Sequence, residues 1–129
     1  MKRTSLCLWA ALTVAVAWAS QAVGETIFTA QLTGDQVAPT PSGSPGLAFG
    51  TFTLNDTMTM LSFDITFSGL TSNATALHFH DAPPGTPGPL VRAFTLPADT
   101  SGELMGVWSS TDTQPLTPTL VAELEAGNI

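Results

Sequence analysis

Residues Ala76 to Leu96 read ALHFHDAPPGTPGPLVRAFTL, and the alternation inside this stretch decides the fold. In an extended strand, side chains i and i+2 share a face, so His78 and His80 stand side by side while Leu77 and Phe79 point the other way. Pro83, Pro84, Pro87 and Pro89 then bar both helix and interior strand, and Gly85 and Gly88 supply turns. The stretch reads as a strand at about Thr75–His80, a stiff proline crossing, and a second strand at Leu90–Leu96. Both histidines of the chain lie within it, with Arg92, the one arginine beyond the N-terminus.

Working outward, Met60–Phe67 places Leu61, Phe63, Ile65 and Phe67 on one face and Ser62, Asp64 and Thr66 on the other. Leu47–Leu54 alternates in the same way, burying Phe52 and Leu54, with Gly50 a candidate bulge. The turn Asn55-Asp56-Thr57 joins these two strands into an antiparallel hairpin. Thr26–Thr33 is a first strand with Phe28, Ala30 and Leu32 inward, followed by a surface loop from Gly34 to Gly46. Downstream, the loop Pro97–Gly102 leads to a strand at about Glu103–Ser109. Thr117-Pro118 is a helix start, a hydroxyl cap before proline at the first helical position. Leu120, Val121 and Leu124 share one side of that helix, and Gly127 ends it. Short strands with turns at roughly ten-residue intervals predict an all-β domain over 25–129. The architecture expected is an antiparallel β-sandwich or a partly open, Greek-key-like barrel, with one short C-terminal helix.

Composition limits what such a domain does. Lys2 and Arg3, the apolar run Leu6–Trp18 and the small-x-small triplet Ser20-Gln21-Ala22 form a secretory signal peptide over 1–22, with Gly24 a second cleavage position. The run is too short for a transmembrane span. Cleavage removes Cys7 and two of the three basic residues, leaving one arginine against ten carboxylates, a net charge of −9. Nucleic-acid binding is excluded, because its affinity comes from basic groups that displace counterions. Anionic lipid surfaces are disfavoured for the same reason. Without cysteine the exported chain has no disulfides, so its stability rests on its core. No Gly-x-Ser-x-Gly elbow and no calcium-loop spacing occurs.

Phe28-x-Ala30-x-Leu32-x-Gly34, Gln36-Val37-x-Pro39, Gly50-x-Phe52-x-Leu54, Leu61-x-Phe63 and Phe67-x-Gly69-Leu70 resemble, in order, the start of a CHRD (chordin-type) domain. His78-Phe79-His80 with Pro84-Gly85-x-x-Gly88-Pro89-Leu90-Val91 is similar to the central His-x-His and Gly-x-x-Gly-Pro pattern of that family. Gly102 to Trp108 and Leu116-Thr117 to Leu124-x-x-Gly127 resemble the family's next two segments. The resemblance covers nearly all of residues 27–129. It implies a secreted, non-enzymatic module of the bacterial type, binding an extracellular protein or matrix partner. The chain departs from the family after Gly127-Asn128-Ile129, where family members continue into a strand bearing Asn-x-His and a final strand. The expectation is a domain lacking its last strands, a fragment of a longer product.

Two readings of the histidine pair stand side by side. Neighbouring imidazoles on one strand face can hold copper or zinc, as in metal-binding β-sandwiches, with Asp81 or the histidine of the family's following Asn-x-His strand as a third ligand. A superoxide dismutase-like oxidoreductase is the remote extension of that reading. Alternatively, one imidazole bonds to nearby backbone and orders the proline loop. Pro84, Gly85, Gly88 and Pro89 are structural members of the motif. Arg92, between apolar alternation partners, either extends from the edge of the core or pairs with a carboxylate.

Overall fold

The computed structural model of the protein describes residues 24–96 and 98–129. The signal peptide expected over 1–22 lies outside the described residues. Strands β1 (Thr26–Thr33), β2 (Leu47–Leu54), β3 (Met60–Ser68), β4 (Leu77–His80), β5 (Leu90–Phe94) and β6 (Gly102–Ser109) are followed by helix α1 (Pro118–Glu125). A four-stranded antiparallel sheet runs in the order β1-β2-β3-β6, and β4 and β5 form a second, two-stranded antiparallel sheet. The chain leaves the large sheet after β3, builds the small one across its face, and returns to pair β6 with β3. Among the described residues no barrel closes, so the sandwich is the architecture adopted.

Period-two burial holds through the large sheet except at the end of β1. Leu54, Leu61 and Trp108 lie opposite one another in one row, and Phe28, Phe52, Phe63 and Gly106 form the next. Leu54, Leu61 and Trp108 are at most 1% exposed, which places the centre of the core under this row. The bulge expected at Gly50 does not form. Gly50 sits in unbroken register between Ala30 and Ile65, and its missing side chain makes room for the Phe52 ring. A Cβ there would lie 2.7 Å from Phe52 Cε2. Gly106 makes the same room for Phe63, 2.5 Å from Cζ. The irregularity falls instead between Phe79 and His80, where β4 slips against β5.

The strands around the proline crossing are shorter than expected, beginning at Leu77 and ending at Phe94. Before β4 the backbone is held by a different bond, from Ala74 N–H to the Asp99 carbonyl at 2.7 Å. Leu32, expected inside, is exposed near the end of edge strand β1.

Helix α1 forms as its flanking residues require. Thr117 Oγ1 accepts the Leu120 amide at 3.2 Å, and Pro118 occupies the first turn, where no amide donor is needed. At the other end Gly127 adopts φ +79. Gly127 N–H bonds the Leu124 carbonyl and Asn128 N–H bonds the Glu123 carbonyl, the paired bonds of a Schellman stop. Glu123, unfavourable at a helix C-terminus, accepts Asn128 Nδ2 at 2.6 Å. Val121 and Leu124, with Leu116 just before the helix, join the common core.

Candidate functional site

Phe79 anchors the histidine strand. Its ring stands 5.9 Å from Phe52, 5.8 Å from Phe63, 4.9 Å from Phe94 and 5.6 Å from Trp108, mostly edge to face. Edge-to-face pairs at these separations add to the burial free energy and also fix ring orientation. With Phe79 buried and Leu77 packed against the same core, alternation turns His78 and His80 to solvent. Their rings lie 5.9 Å apart at an angle of 62°.

The proline loop folds back onto the end of β4. Asp81 N–H bonds the Pro89 carbonyl at 3.0 Å, and Thr86 N–H bonds the Pro83 carbonyl at 3.0 Å. Pro84 precedes Gly85, which turns at φ +78 in open space. Gly88 has a different task, because its backbone passes directly over Asp81 and Ala82. A Cβ at Gly88 would collide with the Asp81 carbonyl oxygen. That close approach brings the Gly88 carbonyl to 2.9 Å from His80 Nδ1. A carbonyl can only accept, so Nδ1 carries the proton, and in the neutral ring Nε2 keeps its lone pair toward solvent. Among the described residues, no group of three or more His, Cys, Asp or Glu side chains gathers to hold a metal ion. The pair therefore offers two protein ligands.

Arg92 does pair with a carboxylate. Its Nη2 lies 3.2 Å from Asp112 Oδ2, with the guanidinium 5.1 Å from the Phe94 ring centre. Asp112 and Gln114 belong to the loop after β6, which sequence reasoning passed over. That loop covers β5: Gln114 Oε1 accepts the Ala93 amide at 3.0 Å, and the Gln114 carbonyl accepts Trp108 Nε1–H at 2.7 Å. Nothing in the local spelling of Asp-Thr-Gln signals this role, which exists only once β5 and β6 are brought together.

The outer face of the large sheet was also missed. Ile27, Phe49, Met105 and Val107 are exposed there, and Met105 and Val107 line an open depression of ≈ 610 Å³ together with Thr51, Thr53, Ser62 and Asp64. Asp64 Oδ1 is buried without a hydrogen-bond partner among the described residues.

With the two sheets, the histidine strand and the proline loop in place, a family model decides the identity. The model for the CHRD domain matches residues 28–129. The chain belongs to the CHRD domain family. No curated protein and no solved structure matches it. Within this CHRD domain, the match spans all six strands apart from the first two residues of β1, and it includes α1. No helix among the described residues is long and apolar enough to cross a membrane.

Proposed function

We propose that the protein is an exported CHRD-domain module that works by binding a protein or matrix component outside the cytoplasm, without covalent chemistry. The observation that carries this reading is the outer sheet face. Exposed Met105 and Val107 line a depression that Asp64 also lines, and one Asp64 carboxylate oxygen is unpartnered among the described residues. Large apolar side chains exposed together on one sheet face are a mark of a protein-interaction surface. With one arginine against ten carboxylates in the exported chain, the fitting partner presents a basic segment, drawn in by long-range attraction.

Export supports the setting, through Lys2, Arg3, the apolar run to Trp18 and the site at Ala22. N-terminal sequencing of the protein recovered from outside the cytoplasm is expected to begin at Val23, and a start at Met1 would remove the extracellular setting. The binding test measures saturable, salt-sensitive attachment of purified protein to the surface or matrix of the producing cells. Asp64→Asn and Met105→Lys should each weaken it, while Thr86→Ala on the proline loop leaves it unchanged. Unsaturable attachment, or attachment indifferent to both face substitutions, overturns the reading.

A further inference from the structure

We propose that His78 and His80 form an open two-imidazole site for a divalent transition-metal ion, with copper(II) preferred over zinc(II). This site lies on the solvent side of the small sheet, across the sandwich from the depression at Asp64, and does not rest on the reading above.

The first support is reach. A ligating imidazole nitrogen sits about 2.1 Å from zinc, which puts the ion about 3.2 Å from the ring centre and allows two rings on one ion to be up to about 6.4 Å apart. The observed 5.9 Å falls within that span. Rotation about the side-chain bonds of exposed His78 adjusts the ring separation while His80 keeps its bond to the Gly88 carbonyl.

The second support is the His80 tautomer. Metal-ligating histidines characteristically donate their other ring N–H to a carbonyl or carboxylate, which fixes the ring and raises the basicity of the ligating nitrogen. His80 makes this bond to the Gly88 carbonyl. The carbonyl is held there by the close pass of Gly88 over Asp81 and by the Asp81 N–H to Pro89 bond. The lone pair of Nε2 thus faces outward before any ion arrives, and the loop acts as the outer support of the site. Phe79, wedged among four aromatic rings, prevents the strand from turning the pair inward.

The choice of metal comes from the ligand count. Zinc sites typically use three or four protein ligands, whereas copper(II) leads the affinity order and accepts tetragonal nitrogen and oxygen sets. Water or an external ligand fills the remaining positions.

The test is titration of the purified protein with copper(II), zinc(II) and magnesium separately, read by calorimetry and, for copper, by electron paramagnetic resonance. We expect 1:1 binding of copper with nitrogen hyperfine structure from two imidazoles, at least about tenfold tighter than zinc, a difference of about 1.4 kcal/mol. No binding of magnesium is expected. His78→Ala and His80→Ala should each weaken copper binding at least about tenfold, because one imidazole does not chelate. Nitrogen-15 spectra of the metal-free protein, which need no variant, should show His80 protonated at Nδ1. Unsaturable copper uptake, uptake indifferent to both substitutions, or an Nε2-protonated His80 overturns the proposal.

Discussion

Arg92 Nη2 lies 3.2 Å from Asp112 Oδ2, and this one ion pair ties the small sheet to the loop that leaves the large one. Asp112 Oδ2 also accepts the Ser109 amide at 2.9 Å, so the same oxygen closes the end of β6 and holds β5. Both side chains are partly screened from water, at 19% and 28% exposure, which strengthens the pair relative to a fully solvated one. A double-mutant cycle on Arg92→Leu and Asp112→Ala should return a coupling of about 1 kcal/mol, smaller in high salt. Asp112→Ala should be the costlier single change, because it also strands the Ser109 amide. Urea midpoints for the four proteins check this, and additive single effects would show that the pair contributes nothing.

Phe79 and His78 are neighbours on β4 with opposite fates. Phe79→Ala should cost about 3–5 kcal/mol by opening a cavity among Phe52, Phe63, Phe94 and Trp108. His78→Ala, on the solvent face, should change stability by less than about 0.5 kcal/mol. Equal denaturation midpoints for the two variants would place Phe79 outside the core.

The two glycines of the proline loop should respond differently to substitution. Gly88→Ala forces the loop off Asp81 and should destabilise by about 1–3 kcal/mol, breaking the His80–Gly88 bond. Gly85→Asn keeps a residue that tolerates positive φ and meets open space, so it should cost under about 1 kcal/mol. Thermal melts and the His80 nitrogen-15 shifts distinguish the two outcomes. A Gly88→Ala protein with an unchanged His80 shift contradicts the steric account.

Asn55 and Asn73 both head Asn-x-Thr triplets, yet only one is available for modification. Asn55 Oδ1 accepts the Thr59 and Met60 amides, and its Nδ2 donates to Thr57 Oγ1 at 2.8 Å, so its side chain builds the β2–β3 turn. Asn73 is exposed, with no side-chain bond of this kind. Expressed through a eukaryotic secretory route, the folded protein should carry glycan at Asn73 and not at Asn55. Peptide mass spectrometry showing the reverse would mean that the turn forms after modification.

Strand alternation was legible because period-two burial is a local rule. Leu61, Phe63 and Ile65 declare one buried face whatever lies above it, and Thr117-Pro118 with Gly127 declares a helix by the hydrogen bonds its ends lack. The side-by-side histidines come from the same rule, and the domain family from the order of its motifs. Tertiary structure decided the rest. Gly50 reads as a bulge in isolation, but the rings of Phe52 and Phe63 need the empty space that Gly50 and Gly106 leave, and ring placement depends on the opposing sheet. Asp112 and Gln114 carry no local signal, because their partners on β5 are about twenty residues away in sequence. The His80 tautomer likewise depends on where the proline loop returns the Gly88 carbonyl, eight residues along the chain. Periodicity tells a side chain which face it takes, and only the closed chain supplies the atom that it meets there.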